Sequence, residues 1–153
     1  MPKIEKVLFS GKTHTTATRR DDTTRSNEGR LDIKLSSPSG AGNGTAPERL
    51  FAAVESHPTA EQLFAGAWSA CYIAAVGLVA QEKKVTLPAD LAVDIEVDLG
   101  MTGKEYFLQA RINLSVPGLA HDVAEALAHA ADQICPYSKA VRGNIDVTLN
   151  VRT

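Results

Sequence analysis

Between Leu63 and Ala80 the chain carries eighteen consecutive residues whose only polar side chains are Ser69 and the hydroxyl of Tyr72. Nearly every side chain of such a run must leave water, either into lipid or into the rest of the fold. Its length touches the lower limit for a membrane span. The run is rich in Ala and Gly, however, and so only weakly hydrophobic. The half-apolar strands around it also need an element to pack on. A helix apolar all round is then the central helix of a soluble fold, and no membrane association is expected. Thr59 and Gln62 stand ahead of the run at capping-box spacing, so a helix is predicted to open there and continue to about Lys84.

The remaining elements arrange themselves about that helix. Val7 to Thr18 reads as a Thr-rich strand, and Leu31-Asp-Ile-Lys-Leu35 alternates apolar and polar as a half-buried strand does. Arg19 to Gly29 is a polar loop, and Ser36 to Thr45 is a Gly- and Pro-containing one. Glu48 to Glu55 reads as a short helix ending before His57-Pro58. Ala92 to Leu99 and Tyr106 to Val116 are predicted strands, with Gly100 to Gly103 in the turn between them. Asp122 to Ile134 has helical spacing, and Pro136 breaks it ahead of a further short helix. Ile145 to Val151 closes the chain as a strand. Strands and helices come in clusters rather than strict alternation, which points to an α+β fold.

At 153 residues the chain is expected to form a single domain, residues 1–153. A net charge of −2 argues against a nucleic-acid surface. Met1 to Lys6 carries charges and no apolar run of signal-peptide length, so a cytoplasmic location is expected. His14, His57, His121 and His129 show no metal-ligand spacing, and no Cys-x-x-Cys accompanies them.

The thiol inventory is Cys71, inside the apolar run, and Cys135, which opens Cys135-Pro-Tyr-Ser138. Taken alone, each reads as a small buried hydrophobe. In a reducing compartment the exception is a transient catalytic disulfide. Thiol chemistry needs the thiolate, and a free thiol with a pKa of about 8.5 is ionised only to a few per cent at pH 7. Burial in an apolar helix worsens this. A reactive Cys71 therefore needs a cation nearby, and Arg19, Arg20, Arg25 and Arg142 are the candidates. A carboxylate bidentate to that arginine would hold it in place.

Several motifs narrow these options together. Thr16-Ala-Thr18 ends the first strand, Glu61-Gln-Leu-Phe-Ala65 precedes Cys71 with the glutamate ten residues before the thiol, and Cys135-Pro-Tyr-Ser138 is followed by Arg142-Gly-Asn-Ile-Asp-Val147. From Val7 to the C-terminus the chain resembles the organic hydroperoxide resistance proteins, the Ohr branch of the Ohr/OsmC family. It departs from the family pattern in three places. Arg19-Arg20 stands where Gly-Gly-Arg is usual; counting back from Leu31 puts Arg20 on the family arginine, with Arg19 the alternative. The segment Glu48 to Ala60 looks inserted, so Glu48, which follows Pro47, competes with Glu61; the cysteine spacing selects Glu61. Lys139 stands where the family commonly has Asn or another polar residue, a change expected to matter little.

The resemblance implies an Ohr/OsmC fold, with antiparallel sheets wrapped around central helices in an interlocked homodimer. It implies a thiol peroxidase with Cys71 as the attacking thiolate, Arg20 as its stabilising cation, Glu61 as the carboxylate holding the arginine, and Cys135 as the resolving thiol. It further implies a Cys71–Cys135 disulfide, no bound cofactor or metal, organic hydroperoxides as substrates, and dihydrolipoamide or a lipoylated protein as external reductant. An OsmC-type peroxidase with another substrate preference is one alternative. A non-enzymatic thiol sensor is another. Glu61 and Cys71 on one straight helix would lie about 15 Å apart. The glutamate must then act through a bend near Gly66, through the arginine, or in a partner subunit.

Overall fold

The computed structural model of the chain describes residues 4–16 and 58–153. Seven elements follow one another: β1 (Lys6–Thr16), α1 (Ala60–Lys83), β2 (Ala92–Thr102), β3 (Glu105–Ser115), α2 (His121–Ile134), α3 (Pro136–Val141) and β4 (Asp146–Arg152). The expected Leu31–Leu35 strand, the Glu48–Glu55 helix and the two loops around them lie outside the described residues.

The central helix starts where its capping box puts it. Thr59 Oγ1 accepts from the Gln62 N–H at 3.1 Å, and Gln62 Oε1 accepts from the Thr59 N–H at 3.0 Å. Two of the donors that a helix start leaves without intrahelical partners are thereby satisfied. At the other end Lys84 takes a left-handed φ of 55°, and the Val85 N–H returns to the Ala80 carbonyl at 2.9 Å. Between the caps, Ala65, Trp68, Tyr72, Ala75, Val76, Val79 and Ala80 form the buried face. They meet Val93, Ile95 and Val97 of β2 and Ala110, Ile112 and Leu114 of β3 in one cluster. Each such large apolar side chain contributes roughly 1.5–3 kcal/mol when fully buried. The helix is long and apolar enough to cross a membrane by composition; here its apolar face packs on the sheet and α2.

The described sheet has the order β1-β2-β3-β4, antiparallel at the first two pairings and parallel at the third. The parallel pairing follows from the connection, because α2 and α3 carry the chain back to the end of the sheet where β3 began. The fold is α+β, as expected. The β2–β3 hairpin turns later than the sequence indicates. The strands pair as far as Thr102 with Glu105, which leaves Gly103-Lys104 as a two-residue turn. The left-handed φ of 59° falls on Gly103, as a II′ turn requires at its first central position. Gly100 is a strand residue, and its glycine has another cause. A Cβ there would lie 2.1 Å from Ile4 Cγ2 and 2.8 Å from the Lys6 carbonyl oxygen.

Candidate active site

Cys71 lies in the middle of α1, half-buried, and Cys135 lies fully buried where α2 hands over to α3. Pro136 lacks an N–H and prefers the first helical turn, so the chain leaves α2 at Cys135 and restarts as α3. That break aims the Cys135 side chain back at α1. The two thiols, 64 residues apart in sequence, meet with Sγ–Sγ at 3.4 Å. A disulfide needs about 2.05 Å, so the pair is reduced, in contact, and a small closure away from bonding.

Burial pushes the Cys71 thiol above its ordinary value; the Tyr137 backbone N–H pulls it down, and the neighbouring Cys135 thiol adds to the upward push. Among the described residues no cation takes part in that balance. Arg142, one of the four candidates, is engaged elsewhere: its Nη2 donates to Asp132 Oδ2 at 2.7 Å and to the Asp132 carbonyl at 2.9 Å. Arg19, Arg20, Arg25 and Glu48 lie outside the described residues.

Glu61 occupies the first turn of α1, 7% exposed, where negative charge complements the helix dipole. The helix is continuous through Gly66. Ten residues of helix, about 15 Å, therefore separate Glu61 from Cys71 of the same chain. What packs on Glu61 is β1: a Cβ on Gly11 would stand 2.5 Å from the Gln62 nitrogen and 2.7 Å from Glu61 Cβ. From there β1 and α1 advance side by side. Thr13 Cγ2 lies 3.8 Å from the position a Gly66 Cβ would take, and Thr15 Oγ1 hydrogen-bonds Ser69 Oγ at 2.7 Å. The strand thus climbs the helix toward the level of Cys71 as it reaches Thr16.

Two contacts at the thiol pair have no counterpart in the sequence reading. Trp68 Nε1 donates to Ser138 Oγ at 3.1 Å, and the Tyr72 hydroxyl donates to the Ala128 carbonyl at 2.8 Å. Trp68, Tyr72 and Ser138 are all buried. Composition gives one hint of this: Trp and Tyr buried in an otherwise apolar run must send their N–H and O–H to some partner. It does not say which.

The opposite face of the sheet is polar. Asp94, Glu96 and Asp98 of β2 stand in register with His14, Lys12 and Ser10 of β1, and with Asn113, Arg111 and Gln109 of β3. His14 pairs with Asp94, Lys12 with Glu96 at 3.3 Å, and Arg111 bridges Glu96 at 2.9 Å and Asp98 at 2.6 Å. Among the described residues no group of His, Cys, Asp and Glu is placed to hold a metal.

Residues 52–150 match the family model described as OsmC-like protein. The chain belongs to the Ohr/OsmC family. It is 36% identical to the organic hydroperoxide resistance protein of Xanthomonas axonopodis pv. citri, over 99% of both chains. Its fold is similar to that of an organic hydroperoxide resistance protein of Elizabethkingia anophelis, with a TM-score of 0.68 and 27% identity, covering 98% of this chain and 99% of that one. The organic hydroperoxide resistance protein OsmC of Legionella pneumophila gives a TM-score of 0.60 at 37% identity, covering 64% of this chain and 72% of that one.

Proposed function

We propose that this protein confers resistance to organic hydroperoxides as a thiol peroxidase. The observation that carries the reading is the 3.4 Å contact between Cys71 and Cys135. The thiol with solvent access lies on the central helix and the fully buried one stands behind it, as attack and resolution require. In the first step the Cys71 thiolate attacks the distal oxygen of the hydroperoxide and displaces the alkoxide. The O–O bond breaks, the alcohol leaves with a proton, and Cys71 becomes a sulfenic acid. In the second step Cys135 attacks that sulfur. The S–S bond forms, the S–O bond breaks, and water leaves. An external dithiol, such as dihydrolipoamide or a lipoylated protein, then reduces the disulfide and is itself oxidised.

Burial raises the Cys71 pKa, so the mechanism needs a cation beyond those described. Arg20 fits the need. It follows Thr16 by four residues, a reach of at most about 14 Å, and β1 heads toward the level of Cys71. Glu61 lies about 15 Å along the helix from Cys71, too far to touch it directly, so it acts through the arginine or in a partner subunit. A homodimer fits the latter, with the exposed stripe Ala67, Ala70, Ala74 and Leu78 of α1 available to a second copy. A cytoplasmic setting, where thiols are kept reduced, suits the cycle.

The test is multiple-turnover consumption of cumene hydroperoxide with dihydrolipoamide. Wild type turns over. Cys71→Ser abolishes turnover, while Cys135→Ser completes the first attack and stalls recycling. A wild type that oxidises once and stops under excess dithiol would make the protein a sensor. A Cys71 that stays reduced under excess peroxide would remove the catalytic reading.

A further inference from the structure

We infer that Ser138 is a positioning residue for disulfide formation, acting through its hydrogen bond to Trp68; this rests on the peroxidase reading above. The two thiols and this hydrogen bond form two parallel rungs between the same two segments. Trp68 stands three residues before Cys71 on α1, and Ser138 stands three residues after Cys135. One rung is the 3.4 Å Sγ–Sγ contact, and the other is the 3.1 Å bond from Trp68 Nε1 to Ser138 Oγ.

The helix that carries the second rung cannot hold itself in place. α3 has six residues, well under the length at which an isolated helix is stable in water. Cys135 joins it to α2 through an extended backbone, φ −60° and ψ 120°. The far end of α3 is clamped to α2 by Arg142 on Asp132, which fixes it to α2 and leaves its distance from α1 unset. Upstream of Cys135 the Tyr72–Ala128 bond ties α2 to α1, and downstream the Trp68–Ser138 bond does the same for α3. Cys135 lies between these ties.

The resolving step is sensitive to that placement. The sulfurs must close from 3.4 Å to about 2.05 Å, with Cys135 in line with the departing oxygen. A misplacement of about 1 Å costs on the order of a hundredfold in rate. The first step makes no bond to Cys135, and α3 touches it only through the Tyr137 backbone N–H that favours the thiolate, so it depends less on where α3 sits than the resolving step does. A sulfenic acid that waits is open to a second hydroperoxide molecule, which oxidises it to sulfinic acid while being reduced to alcohol. Ser138 thus favours closure of the disulfide over loss of the enzyme.

The test separates the two steps in single-turnover experiments with cumene hydroperoxide. Sulfenic acid is trapped with dimedone, and the disulfide and sulfinic acid are counted by intact mass. Ser138→Ala is expected to oxidise Cys71 within about twofold of wild type, to form the disulfide about tenfold or more slowly, and to accumulate sulfinic acid at excess peroxide. Trp68→Phe keeps the ring and removes the N–H. It should give the same split, and the double variant should go no further. Disulfide formation at the wild-type rate in either folded variant overturns the inference, as does an equal slowing of both steps. If Ser138→Ala does not fold, Trp68→Phe carries the same decision. A wild type that forms no Cys71–Cys135 disulfide with stoichiometric peroxide would instead bring down the peroxidase reading, and the positioning role with it.

Discussion

At the scale of single residues, the site poses an electrostatic problem before it poses a mechanistic one. Cys71 sits where burial and a second thiol both raise its pKa, opposed by one backbone N–H. A cation would favour the thiolate and lower that pKa, typically by about one to three units. Removing it should return Cys71 toward the value burial dictates. Arg20→Ala is therefore expected to shift the rising limb of the pH–rate profile for peroxide attack toward higher pH. The loss at pH 7 should be about tenfold or more, with recovery as the pH climbs through the raised pKa. Stopped-flow oxidation of Cys71 between pH 5 and 10 checks this. An unshifted profile in Arg20→Ala together with a shifted one in Arg19→Ala would move the role to the neighbouring arginine. Both thiols were legible as a pair in the sequence through the motifs that flank them. Ser138 was visible only as the last letter of Cys-Pro-Tyr-Ser, because a hydroxyl's partner 70 residues away leaves no local pattern.

At the scale of elements, local signals were read well and close approaches were not. The Thr59–Gln62 box fixed the start of α1 because its two hydrogen bonds involve neighbours in sequence. The hairpin was misplaced by a few residues because Gly100 and Gly103 look alike as letters. Gly103 is there for its backbone angle, whereas Gly100 is there because Ile4 and Lys6 press on it. The expected Gly100–Gly103 turn is thus corrected to Gly103-Lys104. Gly11 belongs to the same class as Gly100. Nothing around it in sequence shows that β1 lies against the backbone of α1 at Glu61 and Gln62, with less than 3 Å left for a Cβ. Backbone cannot yield as a flexible side chain would. Gly11→Ala should force β1 away from the helix start and destabilise the protein by about 1–3 kcal/mol. Urea unfolding followed by circular dichroism measures it, and a midpoint within error of wild type would show that the strand relaxes without cost. The same displacement would carry Thr15 off Ser69 and move the strand that leads to Arg20, so hydroperoxide turnover should fall along with stability.

At the scale of the molecule, the sheet separates two chemistries. The helices on its inner side hold the thiol pair, Cys71 on α1 and Cys135 at the α2–α3 junction, and its outer face carries a ladder of charges built from three strands in register. Asp98 is the deepest of these, 2% exposed. Burial alone would raise its pKa, but hydrogen bonds from Arg111, Ser10 and Gln109 outweigh that and hold it down at about 2. Glu96 is lowered too, chiefly by its bond from Arg111. A carboxylate depressed in the folded state stabilises the fold at pH values above its unfolded pKa, near ~3.9 for Asp. That contribution is lost as the pH falls from there through about 2. Cooperative thermal unfolding of wild type should therefore soften steeply below about pH 4. Asp98→Asn keeps the shape and gives up the charge, leaving Arg111 with Glu96 alone. Its melting temperature should lie below that of wild type at pH 7, and the gap should narrow as the pH approaches 2, where wild type has lost the same charge. A gap that stays constant from pH 7 to pH 2 would mean that Asp98 matters through packing and not through its ionisation. The thiolate at Cys71 and the charged ladder both gain as protons are withdrawn, so stability and peroxide attack should decline together on acidification. The two arise from groups on opposite faces of one sheet, which Asp98→Asn can separate by moving the melting temperature while leaving the pH dependence of Cys71 oxidation in place.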